Sequence, residues 1–137
     1  MCITAVRVTP RLWRTCNCNE ISGLVNALGA DKIEADAFGA AKVTDYDAIA
    51  FGCPAMGDEV LEETVFQPMW DDVKGNLAGK KVALFGSYGW GDGQWMRDWE
   101  ADAQAAGLTL ACDSVICNEA PDDEATAALE ALAKAIG

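Results

Sequence analysis

The sequence contains no histidine, and its basic residues are few. Ten lysines and arginines stand against 22 aspartates and glutamates, which gives a formal net charge of -12. Without histidine, catalytic triads that depend on an imidazole are excluded. The charge also argues against binding to nucleic acid or to anionic membranes, because both need clustered lysine and arginine. A protein partner with a basic surface is the natural complement, although acidity also serves simple solubility.

Long apolar runs are missing as well. No stretch approaches the roughly 18 residues that a membrane-spanning helix needs. The first residues, MCITAVRVTPRLWRTC, carry arginines where a secretory signal would be apolar, so we expect a cytoplasmic protein. Its six cysteines are then expected to be mostly reduced thiols. Cys16 and Cys18 form a close pair, but without a second pair or a histidine they do not predict a metal site.

Apolar segments that are present are short, and several end in glycine or proline. The chain has 137 residues and is 51% hydrophobic, which suits one domain with one core over residues 1–137. YDAIAFGCP (46–54) and KKVALFGSYGWG (80–91) are typical of strands buried on both faces. LTLACDSVICN (108–118) and, more weakly, DKIEADAF (31–38) predict two further strands.

Helical patterns lie between these strands. DGQWMRDWEADAQAAG (92–107) begins with an acid and stops at a glycine, and DDEATAALEALAKAIG (122–137) is alanine-rich with acids at its start. EETVFQPMWDDVKG (62–75) predicts a helix that is interrupted at Pro68, and ISGLVNALGA (21–30) the end of another. In the helix over 92–107 the residues at helical spacing, expected to be buried, are Trp95, Met96, Trp99 and Ala103.

The alternation of strands and helices predicts a parallel sheet with helices on both faces. Right-handed crossovers make such a sheet doubly wound. Ligands bind beyond the carboxyl ends of its strands. The two turns that follow the most apolar strands, residues 54–60 and 86–93, are therefore the candidate binding site.

The turn over 86–93, GSYGWGDG, is rich in glycine and aromatic residues. Its glycines allow the backbone to approach a flat ligand closely. Tyr88 and Trp90 are unusual in an exposed turn unless they cover something, and an indole can stack on an aromatic ring system. The alternative is that these aromatics pack on the protein itself.

The turn within 54–60, PAMGDE, adds three complementary properties. Met56 is polarizable and can lie against an aromatic face. Gly57 can adopt either sign of φ, so its peptide can flip cheaply. Glu59 can accept a hydrogen bond from a ring N–H.

Together the two turns resemble those of the flavodoxins, specifically the short-chain flavodoxins of anaerobic bacteria. The matching stretches are GCPAMGDEVLEE, LAGKKVALFGSYGWGDGQWM and NEAPDDEA, and the resemblance covers roughly residues 24–137. It implies a flavodoxin-like three-layer α/β/α sandwich around a five-stranded parallel sheet of order 2-1-3-4-5, which binds FMN noncovalently. Flavodoxins carry single electrons between redox enzymes and catalyse nothing on a substrate. The chain is therefore expected to be a monomeric, low-potential electron carrier and not an enzyme.

The resemblance also implies roles for individual residues. Met56 is expected to line one face of the isoalloxazine ring, and Trp90 to stack on the other. The Gly57 carbonyl would accept a hydrogen bond from flavin N5–H in the reduced states, and Glu59 would bond flavin N3–H. Surrounding negative charge would raise the energy of the reduced, anionic flavin and so lower its potential. The predicted cofactor-binding residues are Ala55, Met56, Gly57, Asp58, Glu59, Ser87, Tyr88, Gly89, Trp90 and Gly91.

A third feature of flavodoxins is missing from the sequence. After their first strand they carry S/T-x-T-G-N-T, whose hydroxyls and amides wrap the FMN phosphate at a helix N-terminus. Here the corresponding stretch is VRVTPRLWRT, which contains no glycine. Thr4, Arg7, Thr9 and Arg11 offer only weak charge compensation.

The gap has a possible genetic origin. Codons can be chosen for Cys2 to Thr15 that, read one base earlier, spell V-Y-Y-S-G-T-G-N-T-E-A-M-A-N, which contains the missing loop. We hypothesise that residues near 2–15 are an out-of-frame reading, with real divergence as the alternative. The nucleotide sequence of the gene decides between them, and codons that offer no such second frame would contradict the hypothesis.

Two other functions remain open at this point. A flavodoxin-like FMN or quinone reductase would need a substrate pocket over the flavin, which Trp90 is expected to cover. An acidic interaction protein without FMN is favoured if the phosphate loop is truly lost.

Overall fold

The computed structural model describes residues 2–6 and 32–137, which form one mixed sheet with helices against it. The strands are β1 Cys2–Val6, β2 Lys32–Glu34, β3 Ala48–Gly52, β4 Lys81–Tyr88 and β5 Val115–Asn118. The α-helices of the described ranges are α1 Ala40–Val43, α2 Phe66–Val73, α3 Gln94–Ala105 and α4 Asp123–Ile136. Across the sheet the strands follow the order β2-β1-β3-β4-β5, which is the order that the resemblance implies.

The direction of β1 corrects the expectation of an all-parallel sheet. β1 pairs antiparallel with both of its neighbours, whereas β3 pairs in parallel with β4 and β4 with β5. Thr4 lies opposite Ala50, and Val6 lies opposite Ala48. Because backbone groups make the ladder, a short run of small and β-branched residues can occupy this position in either direction. The parallel direction is implied by the family resemblance, which does not extend to this segment.

A separate core covers each face of the sheet, as a doubly wound fold requires. Side chains alternate between the faces of a strand: Ile49 and Phe51 pack against α2 and α3, and Ala48 and Ala50 pack against α4. The first core is aromatic. Three of its edge-to-face ring pairs have centroids 5.2 to 5.7 Å apart: Phe51–Trp70, Trp70–Trp99 and Phe66–Trp99.

Two of the predicted helices are confirmed. In α3 all four residues expected on the buried face are at most 3% exposed, and the chain turns away at Gly107, which has a φ of +83°. Helix α4 begins after Asp122, whose carboxylate accepts a hydrogen bond of 2.8 Å from the Ala125 amide. Both boundaries follow from ordinary capping chemistry.

Other predicted elements need correction. Helix α2 starts at Phe66, so Pro68 lies in its first turn and does not interrupt the helix, because amides there lack an intrahelical acceptor. In the segment 108–118 only β5 forms a strand, while Leu110 makes a single bridge to Val82. The chain bends at Ala111 and Cys112, between this bridge and β5.

Some predictions fall on residues that the structure does not describe. The helix predicted over 21–30 lies outside the described residues, as do Arg7, Thr9 and Arg11 and the pair Cys16 and Cys18. Within the described ranges, no helix combines the length and apolar character needed to span a bilayer.

Candidate functional site

The two predicted turns lie side by side at the carboxyl edge of the sheet. Because β3 and β4 are parallel neighbours, the loops that follow them leave from the same edge. The Ala55 amide donates a hydrogen bond of 2.9 Å to the Ser87 carbonyl and ties the loops together at their base. A Cβ at Gly86 would lie 2.2 Å from the Cys53 carbonyl oxygen, so glycine is required for this close approach. The two turns are thus neighbours in the structure, and that they bind a ligand stays a prediction.

The first turn is closed by a pair of backbone hydrogen bonds. The amide and carbonyl of Met56 bond those of Val60 at 2.9 and 3.0 Å. Between them Gly57 has a φ of +50° and Glu59 a φ of +54°. A Cβ at Gly57 would meet no atom within 4 Å, so backbone conformation, and not lack of room, explains the glycine. The position where a side chain of residue 57 would begin therefore faces open space.

The apolar side chains of the two turns are exposed to solvent. Met56 is 41% exposed and Trp90 is 61% exposed. A Cβ at Gly89, next to Trp90, would meet no atom within 4 Å, so the backbone surface beside the indole is open. Tyr88 differs, because its ring packs against Trp95 with centroids 5.5 Å apart. Packing on the protein thus explains Tyr88 but not Trp90.

Glu59 connects the first turn to the second in a way that sequence reasoning missed. Its Oε1 accepts hydrogen bonds of 3.2 Å from the amides of Asp92, Gly93 and Gln94 at the start of α3. A carboxylate is favoured at a helix N-terminus by the amides and the helix dipole. A Cβ at Gly91 would lie 2.3 Å from this carboxyl group. Glu59 therefore holds the second loop in place, and its expected bond to flavin N3–H stays a prediction.

A second carboxylate, that of Glu62, lies buried just after the turn. It accepts hydrogen bonds from the hydroxyl and amide of Thr64 and from the amides of Val65 and Phe66. The Thr64 hydroxyl bond, aided by these amides against the effect of burial, lowers the pKa of Glu62 to about 2. The carboxylate thus stays ionised and anchors the start of α2.

The thiol at the base of the first turn is not reactive. Burial raises the pKa of Cys53 to about 12, and the charge of nearby Glu62 adds to that effect. The thiolate is the reactive form of cysteine. Cys53 is therefore a packing residue at the base of the turn.

The residues present fit the ring end of a flavin. An exposed indole, an exposed thioether and open glycine backbone offer a flat apolar ring two faces and hydrogen-bonding edges. For the phosphate end of FMN, this sequence lacks the motif that flavodoxins use. Arg7, Thr9 and Arg11 lie outside the described residues.

Comparison with known proteins points to the same class of protein, a flavodoxin. The family model described as Flavodoxin matches residues 19–132. A flavodoxin of Megasphaera elsdenii is 46% identical over 108 residues, which are 77% of this chain and 77% of that protein. A flavodoxin of Clostridium beijerinckii is 41% identical over 99 residues, 72% of this chain and 68% of that protein.

Solved structures agree with this result. The solution structure of two-electron reduced Megasphaera elsdenii flavodoxin matches with a TM-score of 0.72 at 40% identity, covering 90% of this chain and 96% of that one. A flavodoxin of Streptococcus pneumonia TIGR4 shares the fold, with a TM-score of 0.70 at 20% identity over 90% and 92% of the two chains. The chain belongs to the flavodoxin family.

Proposed function

We propose that this chain works as a flavodoxin: it binds FMN at the carboxyl edge of the sheet and carries single electrons at low potential between redox enzymes. The observation that supports this most directly is Trp90, an indole 61% exposed on a glycine-rich loop beside the turn of Met56. Flavodoxins are electron-transfer proteins and not enzymes. FMN supplies the one-electron chemistry when it is bound.

The residues of the two turns then have distinct tasks. Met56 and Trp90 contact the two faces of the ring and exclude water from it. The Gly57 carbonyl accepts a hydrogen bond from an N–H at the ring edge, and the glycine allows the peptide to turn toward it. Asp58, Glu59 and Asp92 add negative charge to this edge and so disfavour further negative charge on the ring. The backbone near Ala55, Ser87, Gly89 and Gly91 completes the cradle.

The charge of the chain also bears on its partners. A net charge of -12 steers it toward redox enzymes with basic surfaces and away from nucleic acids and anionic membranes. We further propose that residues 1–137 act as a single domain and a monomer in the cytoplasm.

Titration of the purified chain with FMN tests the proposal. Binding at one FMN per chain should quench flavin fluorescence, since an indole stacked on the ring is an efficient quencher. Anaerobic reductive titration should then show two separate one-electron steps. Absence of FMN binding would overturn the proposal in favour of an acidic interaction protein. Oxidation of NAD(P)H by the FMN-loaded chain without a partner would favour a reductase.

A further inference from the structure

Trp95, the second residue of α3, contacts both turns of the candidate site from inside the protein. Its side chain is 1% exposed. The indole Nε1 donates a hydrogen bond of 3.2 Å to the carbonyl of Cys53, the residue between β3 and the first turn. The indole also packs against the ring of Tyr88, in the second turn, with centroids 5.5 Å apart. One buried side chain thus contacts the start of the first turn and a residue of the second.

Gly86, the first residue of the second turn, leaves room for this arrangement. A Cβ there would lie 2.2 Å from the Cys53 carbonyl oxygen and 3.1 Å from Cζ2 of Trp95. The carbonyl, the glycine and the indole therefore form a close-packed junction. Because closely packed atoms transmit displacements to their neighbours, a shift of the indole must move the start of the first turn or the base of the second.

The side chains expected to contact the flavin have little packing of their own. Met56 is 41% exposed and Trp90 is 61% exposed, so the separation between them depends on the backbone of their turns. A flat ring held on both faces needs that separation to be fixed closely. The bonds from Glu59 to the start of α3 are largely exposed to solvent. The bond donated by Trp95 is buried, where water does not compete with it.

We infer that Trp95 is a positioning residue for flavin binding, which acts through the Cys53 carbonyl and the Tyr88 ring to fix the separation between the two turns. The inference rests on the proposed function and adds to it a residue that is itself buried. Gly57 lies in the first turn, so a looser turn would also weaken the bond that its carbonyl makes to the ring edge. Trp95 therefore influences both the affinity for FMN and the potentials of the bound flavin.

Trp95→Phe tests the inference, because phenylalanine keeps a ring but has no N–H to donate. We expect its FMN dissociation constant, measured by calorimetric titration, to be about tenfold above the native value. The difference between its two one-electron potentials, measured by anaerobic reductive titration, should fall by about 59 mV, which corresponds to a tenfold change. A native chain that binds no FMN overturns the proposed function. If the native chain binds FMN and the variant matches it in affinity and potentials, only the inference is overturned.

Trp70→Phe is the matched control. Trp70 is also fully buried, and its indole donates a hydrogen bond of 2.6 Å to Asp102, but it packs against Phe51 and Trp99 in the aromatic core. Both variants should unfold at lower urea concentrations than the native chain. The FMN dissociation constant of Trp70→Phe should nevertheless stay within about twofold of the native value. Equal changes in affinity for the two variants would mean that Trp95 acts only on the stability of the fold, which overturns the inference.

A measurement on the native chain covers the case in which Trp95→Phe does not fold. In the structure of the FMN-loaded native chain, the Trp95 Nε1 and the Cys53 carbonyl oxygen should remain within hydrogen-bonding distance. Separation of these two atoms in the loaded chain would overturn the inference, because the indole would then not hold the first turn while the flavin is bound.

Discussion

Indoles of the aromatic core and the indole of the second loop have opposite surroundings in this fold. Trp70, Trp95 and Trp99 are 0 to 2% exposed, and the Trp70 Nε1 donates a hydrogen bond of 2.6 Å to Asp102. Trp90 is 61% exposed. Burial of apolar surface is the main force in folding, so the exposed indole of Trp90 contributes little to the stability of the fold. The three buried indoles maintain the fold, and we propose that Trp90 contacts the flavin.

Two capping carboxylates show the same contrast. Glu62 is 7% exposed and bonds amides within four residues of itself, at the start of α2. Glu59 lies on the surface turn and bonds amides more than thirty residues away, at the start of α3. Glu62 therefore organises a local element, whereas Glu59 joins the two loops that form the candidate site.

Truncation of a core indole should give the largest effect. Trp70→Ala is expected to lower the free energy of unfolding by about 3–5 kcal/mol, because it leaves a cavity between Phe51 and Trp99. Urea denaturation followed by circular dichroism measures the loss. Trp70→Phe, which keeps most of the packing, should lose less than half as much. Equal losses for both would mean that the bond to Asp102 matters more than the packing.

Removal of the buried charge should give a smaller, pH-dependent loss. Glu62→Gln is expected to lower the free energy of unfolding by about 1–2 kcal/mol at neutral pH. The folded pKa of about 2 lies below the ordinary 4.5, so the ionised carboxylate stabilises the fold above pH 4.5. That contribution disappears as the pH falls toward 2.

The measurement for Glu62 is a pair of urea titrations across this range. The gap in stability between the native chain and Glu62→Gln should narrow as the pH drops from 4.5 toward 2. The exposed neighbour Glu63 provides the control, and Glu63→Gln should leave the stability almost unchanged. A difference in stability that stays constant with pH would contradict the stabilising role of the ionised Glu62 carboxylate.

Truncation of the exposed indole should affect the ligand and not the fold. Trp90→Ala is expected to raise the FMN dissociation constant about tenfold, the effect of losing one aromatic stacking contact. Its free energy of unfolding without flavin should stay within about 0.5 kcal/mol of the native value. Because Trp90 itself is expected to quench the flavin, calorimetric titration with FMN measures the affinity and urea titration the stability, with Trp90→Phe as an intermediate. If Trp90→Ala were destabilised and its FMN affinity unchanged, Trp90 would serve the fold, as Trp70 does, and not the ligand.

Loss of the charge on Glu59 should change the stability less than loss of the charge on Glu62. Glu59→Gln is expected to lower the free energy of unfolding by about 0.5 kcal/mol at low salt, because one charge at a helix N-terminus is lost near solvent. High salt should reduce the difference further by screening. Denaturation at two ionic strengths measures it. A loss as large as that of Glu62→Gln would mean that the two caps are equivalent.

Much of the fold follows from periodic patterns in the sequence. β3, β4, α3 and α4 are predicted because apolar spacing and capping residues agree over each segment. The direction of β1 is not predictable, because its five residues pair through backbone groups that are equally available in both directions. The predicted interruption at Pro68 is wrong because the start of a helix is harder to locate in a sequence than the helix itself. A proline in the first turn destabilises a helix little.

Sequence patterns predict the position of the candidate site but not all of its contacts. That the two turns meet follows from parallel strand order, and the residue types Met56 and Trp90 indicate a flat ligand. The bonds from Glu59 to the start of α3 depend on distance in space between segments 33 to 35 residues apart. No periodicity in the sequence encodes such a contact.

Those bonds have a consequence for how the binding face opens. Amides on exposed loops ordinarily exchange their hydrogens with solvent quickly. The amides of Asp92, Gly93 and Gln94 share one acceptor on Glu59, so they exchange only when the turn over 56–60 and the start of α3 move apart. Their exchange rate therefore reports how often the turn over 56–60 separates from the start of α3, and so how often the candidate site opens.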